Sequence, residues 1–276
     1  MSREARADIF HFGDNWRNFL AQLDPSRIQK AEQSIAEDFG DDLSGKTFVD
    51  VGSGSGIFSL AARRLGATVH SFDADPASVL CTAELQRRFY PDDSLWKVEL
   101  GSATDGAYLE SLGQFDCVYS WGVLHHTGAL WRALDLVCRL TAENGRFVLA
   151  VYNDQGLRSR AWRAIKRKYN QLPRSLRWLV LVPSLVRLWG PTTLRDALRM
   201  HPNRTWRSYS ESRGMSPWHD VVDWVGGYPF EVARPQEVIA SLEAHGYSIL
   251  KTRLVGDGRG CNEFVAILND FYGSHG

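Results

Sequence analysis

Phe48-Val49-Asp50-Val51-Gly52-Ser53-Gly54-Ser55-Gly56 is the stretch on which the reading of this chain turns. A hydrophobic strand ends in an acid and runs into three alternating glycines that open a helix. Glycine turns tightly and lets the backbone approach a ligand where any Cβ would collide. A NAD fingerprint, G-x-G-x-x-G, would place its third glycine one position later, where Ile57 stands here.

Outward from this loop, strand and helix patterns alternate. Residues 47–51 read as a buried strand, 56–65 as a helix, 67–72 as a strand and 76–89 as a helix, with Asp75 as N-cap and Pro76 in its first turn. Strands at 95–100, 115–120 and 145–152 follow, with helices at 105–112 and 129–140 between them. Such alternation predicts an α/β, doubly wound, Rossmann-like parallel sheet with helices on both faces. The pattern stops at Asn153 and resumes at Pro235 with a helix over 235–245. Two strands, 247–255 and 261–268, flank a glycine-rich turn and predict an antiparallel hairpin. Before the sheet, Phe19, Leu20, Leu23, Ile28, Ala31, Ile35 and Phe39 recur at helical spacing within 8–44. The expected organisation is a helical N-terminal cap (1–44), a core (45–152), an inserted segment (153–234) and the end of the core (235–276).

Composition narrows the class. Hydrophobic residues make up 44% and charged residues 23% of 276, which suits a globular protein and excludes wholesale disorder. Cys81, Cys117, Cys138 and Cys261 are scattered without CxxC or Cys/His spacing, so neither a metal site nor a disulfide framework is expected, and a cytoplasmic location fits. The N-terminus shows no apolar run of signal-peptide length, and the apolar stretch 178–189 is interrupted by Pro183 and Arg187.

Three further segments join the glycine loop. Asp73 ends the second strand in Ser71-Phe72-Asp73-Ala74-Asp75, where a carboxylate can accept both ribose hydroxyls of an adenosine. Gly101-Ser102-Ala103 follows the third strand, where an adenine edge would lie. Ser120-Trp121-Gly122-Val123-Leu124-His125-His126-Thr127-Gly128 follows the fourth. Together these residues resemble the class I S-adenosylmethionine (SAM)-dependent methyltransferases, from about Gly45 to Leu268. The resemblance implies a seven-stranded sheet with an antiparallel last strand and SAM as cofactor. It implies that Asp50, Gly52, Ser53, Gly54 and Gly56 hold the methionine end, that Asp73 with Ala74 holds the ribose, and that Ser102 and Ala103 flank adenine, with Ser120 and Trp121 completing the site. Ser102 stands where that family often has Asp.

The segment 120–128 is also similar to part of the mycolic acid cyclopropane synthases: His126 falls on their histidine, while His125 replaces their glutamate. His125 and His126 are therefore candidate catalytic residues, since a neutral imidazole can take a proton from a hydroxyl near pH 7. The whole-chain pattern further resembles bacterial methyltransferases found beside surface-glycan and natural-product genes, through residues 12–16, 213–220 and 260–264.

The insertion differs in charge. Between Gln155 and Pro217 fourteen Arg and Lys face only Asp196 and Glu211, so this segment carries about +12 in a chain of zero net charge. It reads as a helical basic lid. Its run 214–231, with Trp218, His219, Asp220, Trp224 and Glu231, reads as a shaped loop in which His219 is a third catalytic candidate. The expected activity is methylation of an oxygen, or less readily a nitrogen, of a small, glycan or lipid-linked anionic acceptor. Peripheral contact with the inner membrane face, an RNA methyltransferase and a non-catalytic SAM-binding subunit stay open, with nucleic acid ranked below lipid.

Overall fold

Four of the five residues of Thr47–Val51 (β1) are buried, as a strand covered on both faces requires. In the computed structural model, which describes residues 23–201, 204–206, 217–256, 258 and 260–270, this strand is an interior strand, third in the order of a seven-stranded sheet. Its companions are Thr68–Asp73 (β2), Trp96–Leu100 (β3), Phe115–Trp121 (β4), Thr141–Tyr152 (β5), Tyr247–Arg253 (β6) and Cys261–Leu268 (β7). The order is β3-β2-β1-β4-β5-β7-β6. Strands β1 to β5 are parallel, and β7 runs antiparallel to both β5 and β6. The doubly wound sheet and its antiparallel strand are as the sequence pattern and the resemblance lead one to expect.

The chain first winds outward through β2 and β3, then crosses back to lay β4 on the other side of β1. That reversal opens a crevice at the carboxyl ends of β1 and β4, where open α/β sheets bind ligands.

Helix α1, Pro25–Phe39, starts at an Asp24 N-cap and buries Ile28, Ala31, Ile35 and Phe39. The earlier part of the helical span expected over 8–44 lies outside the described residues. Ile57–Arg64 (α2), Pro76–Phe89 (α3), Gly106–Leu112 (α4), Leu130–Cys138 (α5) and Pro235–Ala244 (α9) complete the sheet layer. Asp75 caps α3, accepting from the Ala77 N–H at 3.0 Å. Arg253 on β6 ties the sheet to α1, donating to the buried Asp38 carboxylate at 2.7 and 3.0 Å and to Glu263 at 3.0 Å.

Gly156–Phe230 form a second compact unit. Its described helices are Leu157–Gln171 (α6), Trp178–Leu198 (α7) and Pro217–Gly226 (α8), packed around Tyr169, Leu181, Trp189, Val221 and Val225. Helix α7 continues through Pro183 and Pro191. Lys166 is fully buried in this unit: its ammonium donates to the Trp224 carbonyl and lies 4.2 Å and 4.6 Å from the Trp224 and Phe230 ring centres. Burial pushes its pKa down to about 7. Of the run 214–231, expected as a shaped loop, Pro217–Gly226 is helical, and residues 214–216 lie outside the described residues. Val221, Val222 and Val225 recur at helical spacing, and Val221 and Val225 bury themselves as a helix stripe.

Candidate cofactor site

The glycine loop is held from beneath by β2. Gly52 and Ser53 both donate their N–H groups to the Phe72 carbonyl, at 2.8 Å and 3.1 Å. Gly52 has φ +81°, and a Cβ there would lie 2.5 Å from the Val123 methyls, so a side chain would force the loops after β1 and β4 apart. Gly56, φ +78°, begins α2 against α3, where a Cβ would sit 2.8 Å from the Thr82 methyl and 2.9 Å from its Cα. One glycine thus admits the neighbouring loop and another the neighbouring helix.

Asp73 stands at the end of β2 with both carboxylate oxygens engaged: Oδ2 accepts from Gly54 N–H at 3.0 Å and Oδ1 from Asp75 N–H at 2.8 Å. Each oxygen keeps a further lone pair for a ligand hydroxyl. Burial raises the Asp73 pKa, against the lowering effect of these two amides. Ala74 next to it is exposed.

Asp50, on β1, ends a buried polar chain. Trp96 Nε1 donates to Ser71 Oγ at 2.9 Å, Ser71 to Ser59 Oγ at 2.7 Å, and Ser59 to Asp50 Oδ2 at 2.5 Å. Burial pushes the Asp50 pKa up to about 7; the Ser59 hydrogen bond opposes this and the nearby Asp73 charge adds to it. A half-neutral acid beside a glycine loop suits a cationic ligand group, whose charge would restore the ionised form.

After β3, Ser102 Oγ meets Thr104 Oγ1 at 2.9 Å, in a turn that leads to Asp105, the N-cap of α4, and Ala103 is buried. Near the end of β4, Ser120 is fully buried and its hydroxyl has no hydrogen-bond partner among the described residues. An unmade buried hydrogen bond costs ~1–3 kcal/mol, so such a group fits a site that a ligand completes. Trp121 is exposed, with Nε1 donating to Glu263 Oε1 at 3.2 Å. Asp50, the glycines, Asp73, Ala74, Ser102, Ala103, Ser120 and Trp121 therefore all come to the carboxyl edge of one sheet, and the glycine cradle and the orphan hydroxyl fit SAM.

The histidines divide. His125 is fully buried; its Nδ1 accepts from Tyr152 N–H at 3.3 Å, its ring lies tilted against the Tyr152 ring with centres 3.9 Å apart, and its carbonyl accepts from Glu231 N–H at 2.9 Å. An accepting Nδ1 fixes the proton of the neutral ring on Nε2. His126, half-buried on the same loop, meets Tyr152 edge to face at 5.5 Å. His219 is carried by α8 in the other unit, and its side chain lies outside what is described. Glu231, counted in the insertion from sequence, belongs to the sheet unit and accepts from Leu130 N–H at 3.0 Å, capping α5.

Sequence reasoning missed Ser59, Ser71, Thr82 and Tyr152. The signal was present for Ser71: a hydroxyl at an inward position of a buried strand needs a partner.

The sequence profile of a family described as a methyltransferase domain matches residues 23–201. A mitochondrial ubiquinone biosynthesis O-methyltransferase of Arabidopsis thaliana is 29% identical over 166 residues, 58% of this chain and 49% of that protein, so the chain spans about half the length of this relative. Among solved structures, the magnesium protoporphyrin IX methyltransferase of Synechocystis PCC 6803 with bound S-adenosylhomocysteine superposes with a TM-score of 0.51 at 15% identity, covering 87% of this chain and 82% of that one. An O-methyltransferase family protein of Burkholderia thailandensis gives 0.53 at 11% identity, covering 88% and 56%. These two share the fold. The profile match takes in more than half of the chain and the whole glycine loop, and the chain belongs to the class I SAM-dependent methyltransferases.

Proposed function

We propose that this chain transfers the methyl group of SAM to an oxygen of a small, glycan or lipid-linked acceptor that carries negative charge. The observation that carries the reading is the Gly54–Asp73 bond, which locks the glycine loop and a ribose-binding carboxylate into one unit. SAM, when bound, supplies an activated methyl on a sulfonium that leaves without help from an acid. What falls to the protein is binding, alignment and removal of one proton. Asp73 takes the ribose hydroxyls, Asp50 and the close approach that the Gly52–Gly56 loop allows accommodate the amino-acid end, and Ser120 donates its hydroxyl. His126 accepts the acceptor's proton, while His125, committed to Tyr152, positions the loop.

An oxygen acceptor is supported by the Arabidopsis relative, an O-methyltransferase by name. Negative charge is supported by the arginine and lysine excess of 155–217, which attracts anions. The four free cysteines suit a reducing cytoplasm. The test is turnover: labelled SAM is offered with phenolic, carboxylated and phosphorylated acceptors beside neutral analogues. Methyl transfer confined to neutral acceptors refutes the charge reading. Cofactor binding without transfer to any acceptor leaves a non-catalytic SAM-binding subunit.

A further inference from the structure

Helix α7 has two unlike sides. Leu181, Ser184, Trp189 and Asp196 are buried, and Asp196 commits both oxygens to Thr205, whose N–H and hydroxyl donate at 2.8 Å and 3.0 Å. On the outer side Trp178, Val182, Val186, Gly190, Leu194 and Leu198 follow one another at four-residue steps. Trp178 is 57% exposed, Val186 61%, Leu194 62% and Leu198 77%. Each step of four turns the row by about 40° on a 3.6-residue helix, so Val182, Val186, Gly190 and Leu194 share one slanting flank about 120° wide, with Trp178 and Leu198 at its margins. Globular proteins seldom expose contiguous apolar surface without a use for it.

Its surroundings are cationic. Arg174, Arg187, Arg195 and Arg199 are exposed around the row, and the single acid between residues 174 and 200 is the buried Asp196. No helix among the described residues is long and apolar enough to cross a membrane. An apolar row bordered by arginines has the make-up of a helix that lies in the plane of an anionic bilayer. We propose that the outer flank of α7 docks on an anionic lipid surface, seating its apolar row among the headgroups while the arginines pair with lipid phosphates. A second copy of this chain would bring one arginine border against another across a two-fold axis. A nucleic acid would engage the arginines and leave the aliphatic row in water.

Co-flotation of the whole protein with vesicles tests the proposal and requires neither cofactor nor turnover. With about a third phosphatidylglycerol in phosphatidylcholine, binding should exceed that to pure phosphatidylcholine by roughly tenfold and weaken as salt rises. Arg187→Gln and Arg199→Gln should each weaken it about fivefold. Val186→Glu with Leu194→Glu should abolish it, with circular dichroism reporting the fold; the exposed arginine variants keep the test decisive should the glutamates disturb folding. Failure to float, equal binding to both vesicles, or a Val186→Glu variant that turns a dimer into a monomer without affecting flotation overturns the proposal.

Discussion

Gly54 and Asp73, nineteen positions apart, are joined by a backbone N–H donated to a carboxylate oxygen at 3.0 Å. The bond makes the glycine loop and the end of β2 a single rigid element. It also shows why the acid must be at position 73: Asp75, two residues on, is spent on capping α3. Asp73→Ala should therefore weaken S-adenosylhomocysteine binding by ~1.5–3 kcal/mol, the range for a lost charge-assisted partner. Asp73→Asn, which can still accept from Gly54, should fall between the two. Titration calorimetry on folded variants checks this, and undiminished affinity in Asp73→Ala removes the ribose assignment.

Asp50 leads to a pH effect with a definite sign. Its pKa in the folded protein is raised to about 7, above the unfolded carboxyl value near ~3.9. The folded state holds this proton more tightly, so the contribution to stability is complete below the unfolded value and is lost as pH rises towards 7. Asp50→Asn should melt with a flatter pH dependence than the parent between about pH 4 and 7. A ligand ammonium placed beside Asp50 would drive the proton off. Binding of S-adenosylhomocysteine near pH 6 should then release protons, measurable as a dependence of calorimetric heat on buffer ionisation enthalpy. The same proton release in Asp50→Asn would assign the effect to another group.

Gly52 and Gly122 make a controlled pair. Both have positive φ, +81° and +79°, but a Cβ on Gly52 meets Val123 at 2.5 Å whereas one on Gly122 meets nothing within 4 Å. Gly122→Ala should cost ~1 kcal/mol, the backbone penalty alone, and Gly52→Ala ~2–4 kcal/mol, with cofactor binding impaired. Urea unfolding of the two variants compares them, and equal losses would show that Val123 moves aside freely.

The two adjacent histidines should separate by readout. His125→Ala leaves a cavity against Tyr152 and should lower stability by ~2–4 kcal/mol. His126→Ala should leave the melting temperature nearly unchanged and lower kcat by ~10²–10⁴-fold with cofactor affinity intact, as expected for a lost general base. Full turnover by His126→Ala would mean that the acceptor loses its proton to water.

Much of the sheet could be read because β1, β2 and β4 are short, largely buried and ended or followed by glycine or an acid. The cofactor residues followed, since the edge on which they gather is a property of the winding itself. Element ends were less legible. Thr141 begins β5 four residues before the glycine that seemed to open it, because pairing with Phe115 is resumed across an irregularity that leaves no mark in composition. His125 looked like the equal of His126; only the fold shows that its Nδ1 is taken by a backbone amide at the end of another strand. The polar chain through Ser59 and Ser71 was hidden for the same reason: four separate elements, β1, α2, β2 and β3, supply its members.

That chain from Trp96 to Asp50 limits how the sequence can drift. Each member serves as the partner of the next, so replacing one by an apolar residue strands a donor or acceptor in the core. Replacing all of them together would be far less harmful than the sum of the single changes. Histories that pass through one altered serine are therefore penalised, and substitutions at positions 59, 71 and 96 should have been accepted as a set or not at all.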